Sequence, residues 1–273
     1  MNVSKKLLKK LWMRYGRSKM VIGLESFAKW FQGHENEYAI IGGTACDLLM
    51  SEGGLDFRAT KDIDLVLLVE ALTPEFGEKF WDYIVQAEYE HKNKSTGKSQ
   101  FYRFSHPKSK EYPFMIELFT RHSEKIQLPQ EAVLTPLPLE GDLSSLSAIL
   151  LDDEYYKLLC NGRTMIDGIT ILDAGYLILF KAKAWLDLSF RKTAGEHVDS
   201  KNLRKHKNDI FRLSALLGRN LQIPVSAQIM SDFQSFLHAM REEQVDVKQL
   251  GLSGTKEKIM ERLETTYYIE ENF

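Results

Sequence analysis

Asp62 and Asp64 stand one residue apart where an apolar run, Ile63–Val69, begins. Alternate side chains on a strand share a face, so the two carboxylates would project together. Carboxylates held side by side repel unless positive charge lies between them. A hard divalent cation, most often Mg²⁺, meets that need through one or two carboxylates plus substrate phosphates. Upstream, the short apolar run Tyr38–Ile41 ends in Gly42-Gly43-Thr44, and an apolar segment at helical spacing follows. Peptide N–H groups at a glycine turn that starts a helix suit phosphate oxygens. Arg58 and Lys61 lie between the turn and the aspartates, where each could meet a phosphate, a local ion pair or solvent. Taken singly, a Gly-Gly is more often a turn and an Asp-x-Asp more often a solvated strand end. Their order along the chain outlines a nucleoside-triphosphate site.

A third acid interrupts a second apolar run, Phe114-Met-Ile-Glu-Leu-Phe119. Burying an unpaired carboxylate costs several kcal/mol (roughly 2 to 7 even for an uncharged polar group). Glu117 therefore needs water at the sheet rim, a partner such as Arg103 or Arg121, or a cation.

The pattern Ile-Gly-Gly-Thr-Ala followed by Arg58-x-Thr-x-Asp-Ile-Asp-Leu65 resembles the DNA polymerase beta-like nucleotidyltransferases. Within them it looks most like the AbiEii/AbiGii branch of abortive-infection and toxin–antitoxin nucleotidyltransferases. Weaker likeness runs on to about Leu217. The resemblance implies an NTP substrate, two Mg²⁺ ions, and transfer of a nucleoside monophosphate to a hydroxyl with release of pyrophosphate. It implies Asp62, Asp64 and Glu117 as metal-binding and catalytic acids, and Gly42, Gly43, Thr44, Arg58 and Lys61 as the triphosphate cradle. Two further positions come from the likeness alone. Lys181, in a Lys-x-x-Ala helix with Ala184, would contact phosphate. Asp209, in Lys205-His-Lys-Asn-Asp209, would complete the site, although His206 replaces an acid expected there. A lysine on such an apolar helix otherwise snorkels to its rim. Within the branch the acceptor would be RNA, such as a tRNA end, or a protein side chain, and an antitoxin protein would be a partner. The alternatives are a small-molecule transferase of the antibiotic-modifying kind, or a non-catalytic nucleotide- or partner-binding protein.

Positioning these residues requires an α/β (α+β) core: a small mixed sheet flanked by helices, followed by a mainly helical C-terminal part. The pattern divides the 273 residues into a catalytic core over 1–140 and a C-terminal part over 141–273. Helical spacing marks Val21–Phe31 and Thr44–Ser51, the latter with Thr44 as N-cap. Thr73 caps a helix starting at Pro74, a residue suited to the first helical position. Gln100–Ser105 and Phe114–Thr120 read as an antiparallel pair. Tyr155–Cys160 and Thr164–Leu172 read as a hairpin about Asn161-Gly162. Asp173 caps a long helix to about Phe190, Lys201–Leu217 is a second helix, and helices are expected beyond it.

Composition fits a globular chain, 44% apolar and 27% charged. The net charge of −2 makes no global case for nucleic acid. A polyanion would need the local clusters Lys92/Lys94/Lys98 and Lys201/Arg204/Lys205/Lys207/Arg212, which otherwise read as solvated faces. Cys46 and Cys160 are in no metal or redox spacing and suit a reducing cytoplasm. No apolar run reaches the ~20 residues of a membrane span. The basic N-terminal segment, with Leu7, Leu8, Leu11 and Trp12, reads as a helix packed on the body.

Overall fold

The computed structural model describes residues 22–68, 70–90, 101–120, 149–150 and 152–270, the side chains of 101 and 102 excepted. The N-terminal basic segment and Lys92, Lys94 and Lys98 lie outside the described residues. The chain divides into two compact units, and the first is discontinuous: residues 1–139 together with Arg163–Leu172. The second comprises Glu140–Gly162 and Asp173–Phe273.

The first unit is built on a six-stranded mixed sheet. Its strands are β1 (Tyr38–Ile41), β2 (Asp62–Leu67), β3 (Phe101–Ser105), β4 (Met115–Phe119), β5 (Arg163–Ile166) and β6 (Ile169–Leu172). Their spatial order is β3-β4-β2-β1-β6-β5. β2 runs parallel to β4, and β1 parallel to β6; the other neighbours are antiparallel. Among the described residues the unit also holds helices α1 (Leu24–Trp30), α2 (Gly42–Glu52) and α3 (Pro74–Gln86). Tyr38 and Phe104 on the strands meet an aromatic cluster of Phe27, Phe31, Phe76, Phe80 and Tyr83, with ring centroids 4.5–6.4 Å apart. Edge-on and tilted ring pairs of this kind add about 0.5–1.5 kcal/mol beyond the area they bury. Thr73 caps α3 by accepting from the Phe76 N–H, as expected from sequence. Glu37, unnoticed in the sequence, is buried and accepts from the Thr73 N–H (2.7 Å) and hydroxyl (2.8 Å). That contact ties the start of β1 to the start of α3.

Two readings of local structure are corrected. The segment before Gly162 is a helix, α4 (Asp153–Asn161), whose first turn is capped by the Asp152 carboxylate. Tyr155, Tyr156, Leu158 and Leu159 are its buried side, a 3.6-residue period that outweighed the Asn-Gly turn signal. The hairpin is β5–β6, and its turn is Asp167-Gly168, with φ of 50° and 80°. Positive φ at both central residues is the type I′ geometry that suits a two-residue hairpin. The second correction is to the hairpin's place: the units break between 139 and 140, beside the sequence division, but this hairpin adds to the first unit's sheet rather than to the helical part.

The second unit holds α4, α5 (Ala174–Thr193), α6 (Ser200–Leu213) with a 3-10 turn (Ser214–Leu216), α7 (Ala227–Glu242) and α8 (Lys256–Thr266). Asp173, Asp199, Ser226 and Thr255 cap α5 to α8 in turn. The tail is not wholly helical. β7 (Ile223–Val225) pairs in parallel with β8 (Tyr267–Ile269), and Tyr267 anchors the strand by donating to the Gly175 carbonyl. Among the described residues no helix is long and apolar enough to cross a membrane.

Candidate nucleotide and metal site

The site is set by strand register. β2 pairs with β4 so that Asp62 faces Met115 and Asp64 faces Glu117. β4 pairs with β3 so that Glu117 faces Arg103, and β1 pairs with β2 so that Ile41 faces Asp64. Ile41, Asp64, Glu117 and Arg103 thus form one lateral row across four strands. Register partners in adjacent strands share a face, and strands lie about 4.8 Å apart. Asp62 joins Asp64 and Glu117 on that face because it is two residues from Asp64 on β2. The alternate residues Ile63 and Leu65 are fully buried on the opposite side, which holds the register in place.

β1 passes into α2 without a loop, and the junction demands glycine. Gly42 has φ of 69°, and a Cβ there would lie 1.7 Å from Asp64 Oδ2. The backbone of the helix start therefore sits directly against the Asp64 carboxylate. The residue before α2, Ile41, is extended and its side chain supplies no cap to the helix. The first N–H groups of a helix lack intrahelical acceptors and favour anions. A Cβ at Gly43 would lie 2.9 Å from Thr60 Oγ1 and 3.4 Å from Arg58 Nη2. The loop thus brings the Arg58 guanidinium to the first turn of α2, and it also lies over the Phe57 ring at 5.0 Å.

Thr44 is not the N-cap expected from sequence. It lies inside α2, fully buried, and its hydroxyl donates to the Asp62 carbonyl at 2.6 Å. The helix extends back through both glycines because its entry is shaped by the strand, not by a capping side chain. The Thr44 hydroxyl is thereby committed to fixing β2 against α2. Lys61 is exposed.

Glu117 is nearly buried and paired, the partner being Arg103. Arg103 Nε lies 2.8 Å and Nη2 2.6 Å from the same oxygen, Oε1. Among the described residues no three acidic, histidine or cysteine side chains close around a point as a metal cage would. The donor set is nevertheless all carboxylate oxygen, the kind that suits Mg²⁺. An ion held by one or two carboxylates, with water and phosphate oxygens filling its other positions, fits Asp62 and Asp64.

In the second unit, the residues singled out by resemblance meet each other. Lys181 Nζ donates to Asp209 Oδ2 at 2.9 Å, with both side chains buried, and Arg212 Nη1 lies 3.9 Å from Asp209 Oδ1. The pair joins α5 to α6 instead of leaving Lys181 at the rim of its helix. Lys201, Arg204 and Lys205 are exposed on α6, whereas Lys207 is tied to Glu243 and to the Gln244 carbonyl. A cluster absent from the sequence reading surrounds Asp232. It accepts from the Tyr155 hydroxyl (3.0 Å) and from Lys183 (3.1 Å). Burial, and then the charge of Asp232, hold the Tyr155 phenol well above its ordinary pKa. Burial likewise raises the pKa of Asp187, with Lys183 opposing the shift.

Compared with protein-family models and with curated proteins, the chain matches none. Among solved structures it is similar to an antigenic nucleotidyltransferase-like protein from Paracoccidioides brasiliensis, at 17% identity and a TM-score of 0.45. The match covers 89% of this chain and 90% of that one.

Proposed function

We propose that the protein is a Mg²⁺-dependent nucleotidyltransferase that moves a nucleoside monophosphate from an NTP to a hydroxyl. The observation that carries this reading is the single face shared by Asp62, Asp64 and Glu117, with the start of α2 pressed against Asp64. Asp62 and Asp64 would hold the cation. When bound, Mg²⁺ would lower the pKa of the acceptor hydroxyl and offset charge on the phosphates. The α2 N–H groups and the Arg58 guanidinium would receive the triphosphate, which the part-buried Thr44–Asp62 hydrogen bond would keep in reach of the aspartates. Glu117, beside Asp64, would accept the acceptor's proton. Lys181 is assigned a bracing role, since its ammonium is engaged by Asp209 within the second unit.

The resemblance to AbiEii/AbiGii proteins extends the proposal to growth inhibition and to an antitoxin partner. For the acceptor we favour RNA, such as a tRNA end, supported by the exposed row Lys201, Arg204 and Lys205 on α6. Titration of Mg·NTP into the protein and into Asp62→Asn/Asp64→Asn by calorimetry tests the core of the reading. Binding should need Mg²⁺ and weaken at least about tenfold in the variant, equivalent to about 1.4 kcal/mol. Equal affinity in both proteins would refute the assignment. Incubation with labelled NTPs and total RNA tests the acceptor, and label appearing only in protein or small molecules would exclude RNA.

A further inference from the structure

The Arg103–Glu117 pair has no part in the cradle or in the Asp62/Asp64 pair, yet it shares their row. Its two contacts both fall on Glu117 Oε1, the Glu117 side chain is 9% exposed, and that of Arg103 is 38% exposed. β4 lies between β2 and β3, so Glu117 has Asp64 on one side and Arg103 on the other. We propose that Arg103 is a positioning residue that sets the charge of the ion site: its guanidinium competes with the divalent cation for Glu117. This rests on the reading of Asp62 and Asp64 as cation ligands.

The physical argument is one of charge counting along the row. Three carboxylates on one face would hold a divalent cation in a strongly acidic field. Arg103 cancels one of them, leaving the ion to the two aspartates. Among the described residues Arg103 is the cation paired with Glu117, and its removal favours the alternative cation, because an uncompensated buried charge is costly. A guanidinium is suited to the post, since it keeps its charge at any working pH and its Nε and Nη2 both reach one oxygen. With Glu117 held on the Arg103 side, an ion at the aspartates is bound loosely enough to leave with pyrophosphate. An ion that captured Glu117 would be retained.

The test measures Mn²⁺ binding without nucleotide, by calorimetry and by the loss of the free-ion paramagnetic resonance signal. Arg103→Gln should bind Mn²⁺ about tenfold more tightly than the parent, as one uncancelled unit charge a few Å from a partly exposed ion implies. Arg103→Lys keeps the charge and should remain within about threefold of the parent, a difference of roughly 0.6 kcal/mol. Arg103→Gln/Glu117→Gln should lose the gain. Glu117→Gln alone leaves the Arg103 charge uncancelled and should weaken Mn²⁺ binding by a factor of about ten. A folded Arg103→Gln that binds Mn²⁺ no better than the parent overturns the proposal. So does an Arg103→Gln/Glu117→Gln that binds Mn²⁺ about tenfold or more weakly than the parent, since its net charge is the parent's and Glu117 would then already be a ligand. Parent binding that Asp64→Asn abolishes, with no response to Arg103, sinks this inference alone. Absence of Mn²⁺ binding in every variant sinks the site reading with it.

Discussion

Gly42→Ala separates a structural glycine from a functional one, because its two consequences differ in size. At φ of 69° an alanine pays the left-handed penalty of about 1–2 kcal/mol. Its Cβ would also stand 1.7 Å from Asp64 Oδ2 and 2.7 Å from Asp64 Cγ. Those atoms end a short side chain that can rotate, so the overlap is relieved by turning Asp64 out of its rotamer at about 0.5–1.5 kcal/mol. Restricting the unfolded chain returns about 0.4–1 kcal/mol. The net loss is about 2 kcal/mol, a tolerable amount for most domains. The turned carboxylate, however, no longer meets the cation, so Mg·NTP affinity should fall as far as in Asp64→Asn. Gly43→Ala is the matched control. Its new Cβ would lie 2.9 Å from Thr60 Oγ1 and 3.4 Å from Arg58 Nη2 but not against Asp64, and alanine favours the helix by up to about 1 kcal/mol. Urea unfolding and calorimetry on the two variants decide the matter. A Gly42→Ala protein as stable as the parent, with Mg·NTP affinity intact, would show that the helix start is not pressed on Asp64.

Lys181→Met should cost about 3 kcal/mol in urea unfolding, the low end for one half of a buried pair, because Arg212 remains near Asp209. Lys181→Met/Asp209→Leu should cost less than the two single changes added together, and additivity would show that the pair does not couple. Asp187 has a raised pKa in the folded state, so its contribution is fully present below the ordinary carboxylate range and is lost as pH rises through the raised value. Asp187→Asn should therefore gain stability relative to the parent between acidic and neutral pH in paired unfolding curves, and a gap that does not widen with pH would contradict this.

How much was legible in the sequence depended on the range of the interaction responsible. β1, the paired aspartates of β2, the Thr73 cap and the Asp173 cap rest on neighbours a few residues apart, and all four were read within a residue or two. Asn161-Gly162 misled because a strong turn signal also serves where a helix ends. The helical period of Tyr155 to Leu159 and the cap at Asp152 decide between the two uses. Asp167-Gly168, six residues on, carried the hairpin signal equally well. Glu117 was recognisable as a charge needing a partner, but the choice among water, cation and arginine depended on β3 lying in register. The Lys181–Asp209 pair spans 28 residues and two helices, and nothing local marks the two as mutual partners.

The hairpin's place in the first unit bears on how the site is held. β1 lies between β2 and β6, and Ile40 pairs with Ile171. Without β6, β1 would be an edge strand, and its last residue leads directly into Gly42. Edge strands carry a row of unpaired backbone groups. A one-residue slip of β1 against β2 would move Gly42 off Asp64, and the close approach that demands glycine would vanish. Thr170 adds a second tether, its hydroxyl donating to the Glu35 carbonyl just before β1. Arg163 adds a third by donating to the Asn36 carbonyl at 3.2 Å. Residues 163–172 thus brace, from more than a hundred positions away, the four-residue strand that aims the helix start at the aspartates. The chain must leave the first unit, form α4 and return before its candidate site is fixed, so residues 1–140 alone lack a strand that the site depends on.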